Sequence, residues 1–166
     1  MSRGPRRPGR RPPPSSTVAK LAQDWAWELR ATGLLQLTGP ELELLLRSQA
    51  DLLLRTLHAE PFVPDPARGA GRYLVEELQA TQPDALQRTF LLLTARLLEG
   101  SPLESEAGRH RLDHMLGEFI AGWAEAVHAH TLSSQEEFRR AMDIALHEPK
   151  PDPDSDPDGP ANPWFS

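Results

Sequence analysis

From Glu106 to Leu146 the sequence contains no proline, and one stripe recurs every three or four residues along the whole stretch: Leu112, Leu116, Phe119, Trp123, Val127, His130, Ser134, Phe138, Met142 and Ala145. That spacing keeps side chains on one side of an α-helix. Gly108, Gly117 and Gly122 each cost about 1 kcal/mol of helix propensity relative to alanine, yet they do not interrupt the stripe. A helix of about 40 residues is about 60 Å long. A compact domain of about 130 residues has a radius of gyration near ~14 Å and a diameter of about 35–40 Å. One globule cannot contain such a helix. Its last three or four turns, roughly 132–146, are expected to project, to break or to pack on a partner. The alternative is a break at Thr131–Ser134, with Ser133 or Ser134 capping a short final helix that folds back.

The residues before this stretch are also punctuated as helices, and no segment alternates with period two. A first helix is expected from about Val18 to Ala31, capped by Ser16 or Thr17, with Val18, Leu21, Trp25 and Leu29 inward and Gly33 ending it in the left-handed region. Thr38-Gly-Pro-Glu41 is a capping-box pattern that opens a second helix running to about Ala59. Leu42, Leu45, Leu46, Leu53 and Leu57 form its face, and Leu44, Leu52 and Leu54 widen that face enough to imply packing on more than one side. Pro61, Pro64 and Pro66 make a stiff connector around Phe62 and Val63. Asp65-Pro66 then supplies a cap and first-turn proline for a third helix near Ala67–Ala80. Tyr73, Leu74 and Leu78 face inward there, and small residues at 67, 69, 70 and 71 allow a close approach to a neighbour. Thr81-Gln-Pro-Asp84 opens a fourth helix ending at Glu99 with Gly100 behind it, on a stripe of Leu86, Phe90, Leu93 and Leu97.

Proline marks the edges of the body. Of the 17 prolines, 11 lie in residues 1–16 and 148–166. The head carries five arginines and no acid, and the tail carries five acids against Lys150, so residues 17–147 hold a net −7 of the chain's −6. Such proline density removes backbone donors, and too little apolar surface remains to offset the entropy of ordering. Both ends are therefore expected to be disordered, around one all-α, bundle-like domain over 17–147. Five arginines without interleaved aromatics, beside an acidic body, read as a solvated head, so no nucleic-acid partner is expected. No apolar segment follows them as in a signal peptide, and no apolar run approaches the ~20 residues of a membrane span. A cytoplasmic location without a membrane partner is expected. Trp164 and Phe165 form a small apolar end, either a docking motif or a loose terminus.

The absence of cysteine excludes a disulfide framework, a thiolate metal site and cysteine catalysis. His110 and His114 stand four apart on the final helix, a spacing that can share a metal ion. His-Arg-Leu-Asp-His lacks the glutamate of a zincin motif, and six histidines spread over helices give one such pair by chance. His128 and His130 fall on different faces. His58 and His110 are the positions to consider as a haem axial ligand, though neither has the flanks of a haem pocket. Gly69-Ala-Gly71 has no strand before it and no third glycine, so it is not a phosphate loop. Trp25, Trp27 and Trp123 either line a ligand pocket or belong to the core. Carboxylates such as Glu76, Glu77, Glu99, Glu104 and Glu106 fall on expected solvent faces. No nucleophile, base and orienting acid can be assembled, and neither an enzyme nor a resident cofactor is expected.

Three stretches carry a family resemblance: "LLLRTLHAEPFVPDPARGAGRYLVE", "PDALQRTFLLLTARLLE" and "FIAGWAEAVHAHTLSSQEEFRRA". Together they resemble the helical region at the N-terminus of actinobacterial GGDEF/EAL proteins, which make or degrade cyclic di-GMP. The likeness covers about residues 20–145 and rests on pattern rather than on a catalytic motif. It implies a sensory or regulatory input region whose exit helix passes a signal onward. After Leu146 the sequence becomes "HEPKPDPDSDPDGPANPWFS", with neither a GGDEF nor an EAL sequence, so no catalytic residue of that family is carried over. The expectation is a free-standing relative of the input domain or a truncated member. The pattern is also similar to the globin-like helical domains of stressosome-type regulators, which implies, as the alternative, a sensor of haem or another small ligand.

The resulting expectation is a non-catalytic regulatory module of about five helices. It pairs with a second copy, or with a signalling partner, through the second and final helices. Phe138 and Met142 are the expected seam, with Glu136 and Arg140 alongside at the favourable i, i+4 spacing. Phe119 and Trp123 are expected to anchor the final helix to the body.

Overall fold

The computed structural model describes residues 14–33, 36–99 and 105–147. Expectations for the Arg-rich head to residue 13, for Gly100 and Glu104, and for the acidic tail with Trp164 and Phe165 lie outside those residues. Among the described residues there are five α-helices and no strand: α1 Pro14–Arg30, α2 Gly39–His58, α3 Pro66–Glu76, α4 Pro83–Arg96 and α5 Glu106–His147. The expected all-α architecture with a long last helix is present. By contacts among its residues the chain divides within α5 into two units, one ending at Ala129 and one beginning at His130.

Prolines open the helices because a first-turn residue needs no N–H partner and its φ is already helical. Pro40, Pro66 and Pro83 occupy the first two positions of α2, α3 and α4. α1 begins at Pro14, so Ser16 and Thr17 lie inside it rather than capping it. At α2 the Glu41 carboxylate accepts the Thr38 N–H at 2.9 Å and the Thr38 hydroxyl at 2.7 Å. These two bonds, the hydroxyl's first, hold the Glu41 carboxyl below its ordinary range. Asp65 has helical backbone angles and makes no side-chain cap bond, so Pro66 alone provides the start signal.

Two helix ends come earlier than the periodicity implies. α3 stops at Glu76, four residues short of Ala80, because Gln79 takes a left-handed φ of 58°. The Ala80 N–H then reaches back to Leu74 O at 2.8 Å. α4 stops at Arg96, and Leu97 is buried from outside the helix. Gly33 ends α1 as expected, with φ of 67° and its N–H on Arg30 O at 3.0 Å.

The core of the first unit is built on α1 and α2. Trp25 and Leu29 of α1 and Leu42, Leu46, Ala50, Leu53 and Leu57 of α2 are fully buried. Leu44 is exposed and Leu45 is mostly clear of the core, while Leu52 and Leu54 pack partly against it. The expected α4 stripe holds at Leu93 and Leu97, both buried, and shifts by one residue in the first two turns. Ala85, Thr89 and Leu93 are buried, Leu86 is partly so, and Phe90 is exposed. The shift has a chemical reason: the indole N–H of Trp25 donates to the buried Thr89 hydroxyl at 3.0 Å. A buried N–H left unmet would cost about 1–3 kcal/mol. Ion pairs flank this bond, Arg88 with Glu28 at 3.2 Å and Arg96 with Asp24 at 3.4 Å.

α3 and the first half of α5 touch backbone to backbone. A Cβ at Gly71 would lie 1.9 Å from Phe119 O, and one at Gly122 would lie 2.0 Å from Arg68 O. Two glycines, one on each helix, therefore permit the crossing. Ala67 and Ala70 are buried beside it, whereas Gly69 faces open space. Arg68 bridges two carboxylates of α5, with Nε on Glu118 at 2.7 Å and Nη1 on Glu125 at 2.8 Å. Further along, Arg111 pairs with Glu60, donates to Ala59 O at 3.4 Å and lies 5.4 Å from the centre of the Phe62 ring. Through Arg111 the proline connector is held onto α5.

Candidate interaction surface

α5 carries two kinds of surface along one helix. In its first half Leu112, Met115, Leu116, Phe119, Gly122 and Ala126 are buried. Phe119 is 1% exposed, with its ring centre 6.2 Å from that of Trp25. Trp123 is partly buried against the core and donates its indole N–H to Ala80 O at 2.9 Å. From His128 to His147 every residue is exposed. Leu132, Phe138, Met142, Ile144 and Leu146 are among them, with Phe138 at 69%.

The helix does not break at Thr131–Ser134. The Ser134 hydroxyl donates to His130 O at 3.0 Å, one turn back, so it is spent inside the helix rather than as a cap. Thr131, Ser134, Gln135, Phe138, Arg139 and Met142 share one face. In a heptad register this face places Thr131, Phe138 and Ala145 at d and Gln135 and Met142 at a. Leu132, Arg139 and Leu146 flank it at e, and Ser134 and Ala141 flank it at g. Ile144 falls outside the seam.

Glu136 and Arg140 form the expected i, i+4 ion pair at 2.7 Å. Arg140 is two residues from both Phe138 and Met142, which places it on the opposite side of the helix from them. The Glu136–Arg140 pair thus supports the helix itself and does not border the seam. His147 and Asp143 stand one turn apart in the same way, at 3.3 Å. Among the described residues Arg139 has no ion-pair partner.

The other candidates do not converge. The His110 and His114 rings sit edge to face with centres 4.4 Å apart, and both are exposed. Among the described residues no group of three or more histidines, cysteines and carboxylates is placed to hold a metal ion. His58 is exposed at the end of α2. The three tryptophans part company: Trp25 is core, Trp123 is half-buried and Trp27 is 70% exposed. Periodicity hid two features. Thr89 sits on a polar-for-apolar position that only its bond to Trp25 explains, and Gly122 reads as a weak helix residue until its backbone contact is seen. Among the described residues no helix is long and apolar enough to cross a membrane.

No protein family model, no curated protein and no solved structure matches this chain.

Proposed function

We propose that this chain is a non-catalytic regulatory module that acts by pairing with a second copy through the second half of α5. The observation that carries this reading is the run from His128 to His147, where every residue is exposed although the a, d and e positions hold Phe138, Met142, Leu132 and Leu146. A lone helix with that composition leaves apolar surface in water, and a second helix laid along it removes that surface at about 25 cal/mol per Å².

A parallel two-stranded arrangement suits the register. Gln135 at a central a position can hydrogen-bond to its counterpart and fix the alignment, as buried polar a residues do. Among the described residues of this half the only charged flanking residue, Arg139, then meets Ser134 of the other copy, so no like charges oppose one another there. An interface of this length is below the standard protein–protein size and implies modest affinity. The resemblance to the input region of cyclic di-GMP signalling proteins supports the same reading, since the exit helix there leads toward the output domains. On this proposal the module works in the cytoplasm, and no residue is assigned a catalytic role.

Light scattering on the full chain tests it. A dimer mass at tens of micromolar, lost in Phe138→Ser, supports the proposal, and a monomer mass at that concentration refutes it.

A further inference from the structure

The face of α5 that carries Phe138 and Met142 also carries a charge that a second copy leaves unmet. Arg140 holds Glu136, and Asp143 stands beside His147, but Arg139 lies on the apolar face without an ion-pair partner among the described residues. In the parallel pair it meets only Ser134 of the other copy. An occupant bringing aromatic rings to Phe138 and Met142 and a carboxylate to Arg139 would satisfy both demands.

One segment of this chain has that chemistry. Residues 148–166 carry Glu148, Asp152, Asp154, Asp156 and Asp158 against Lys150, followed by Trp164 and Phe165. The Arg-rich head has no aromatic residue and the wrong charge. After four of these acids and before the aromatics comes Pro157-Asp158-Gly159, a sequence that favours a tight turn. The reach is sufficient. Phe138 lies nine residues before His147, about 13 Å of helix. The seventeen residues from His147 to Trp164 span about 20–25 Å as a flexible chain and up to about 50 Å in a polyproline conformation. Methionine beside an aromatic ring is a favourable pairing.

We infer that residues 148–166 dock back onto α5, with Trp164 and Phe165 against Phe138 and Met142 and an aspartate at Arg139. The acidic segment thereby competes with the second copy for the same face. The docking stands on its own chemistry, and its regulatory consequence rests on the pairing proposed above.

Photo-crosslinking of the full chain tests the docking directly. With benzoylphenylalanine in place of Phe165, irradiation of dilute protein should give a product within one chain, mapping to residues 130–147. Arg139→Glu should reduce that product several-fold and Arg139→Lys should retain it. Absence of the product, attachment to another part of the chain, or a product joining two chains overturns the docking. The consequence is read separately. Trp164→Ala combined with Phe165→Ala should lower the concentration needed for dimer formation several-fold, and an unchanged concentration overturns the competition. If the crosslink forms and the unsubstituted chain stays monomeric at tens of micromolar, the pairing proposal fails while the docking survives. If dimers form and the crosslink is absent, the reverse holds.

Discussion

The two halves of α5 share one helical period and differ in what each side chain meets. The first half buries a residue every three or four positions and includes Gly122, which lets the α3 backbone come within contact distance. The second half continues the stripe through His130 and Ser134 to Phe138 and Met142, and every residue there is exposed. Apolar periodicity therefore marks a helix that needs partners without saying which partner each turn has. The small residues carry that second piece of information. Where α5 packs on α3 each helix sets a glycine against the other's backbone, Gly71 at Phe119 and Gly122 at Arg68, and between His130 and His147 there is no glycine at all.

The sharpest way to break this comparison is to truncate one phenylalanine in each half. Phe119→Ala should cost about 3–5 kcal/mol of unfolding free energy, the usual loss for a buried aromatic in a packed core. Phe138→Ala should change it by less than about 0.5 kcal/mol when measured on dilute protein, as exposed substitutions do. Urea titrations of both variants check the pair, and similar losses would erase the distinction between the halves.

Glycines sharpen it next. Gly71→Ala and Gly122→Ala each push a methyl group into a backbone carbonyl and should destabilise by about 1–3 kcal/mol. Gly69→Ala and Gly117→Ala meet nothing within 4 Å and should stabilise by about 0.5–1 kcal/mol through helix propensity. Thermal melts of the four variants should separate them by sign.

The smallest effect concerns the start of α2. The Glu41 carboxyl is held low by Thr38, so its contribution is present above the ordinary carboxylate range and is lost as pH falls through its folded value. Glu41→Gln should therefore lower the melting temperature slightly at neutral pH, with the difference shrinking on acidification. A difference that grows in acid would contradict that assignment of the cap.

Much of this architecture is legible in the residues. The helix starts at Pro40, Pro66 and Pro83, the left-handed Gly33 and the unusual length of α5 are all written locally, because each depends on a few neighbouring residues. Local signals fail where a distant partner decides. Early in α4 the stripe shifts by one residue, where Thr89 accepts the Trp25 indole N–H, a contact across 64 positions of sequence. Trp27 is exposed and Trp25 buried two residues away, since a helix allows only one of them to face α4. Glu136 and Arg140 were expected along the seam from their spacing, but spacing fixes their pairing with each other and not their side of the helix. Gln79 gives no composition signal for its left-handed backbone, and α3 ends early there. The seam itself is legible as an apolar face, and the identity of its partner is not, because a partner leaves no periodic trace in the chain that binds it.

The central claim is that the second half of α5 is a pairing face. Sedimentation equilibrium of the full chain and of Phe138→Ser, at tens of micromolar and with melting curves recorded alongside, tests it most directly. The account predicts a dimer mass for the unsubstituted chain, a monomer mass for the variant, and equal melting temperatures for the two in dilute solution. A monomer in both, or a dimer that Phe138→Ser leaves intact, would contradict it.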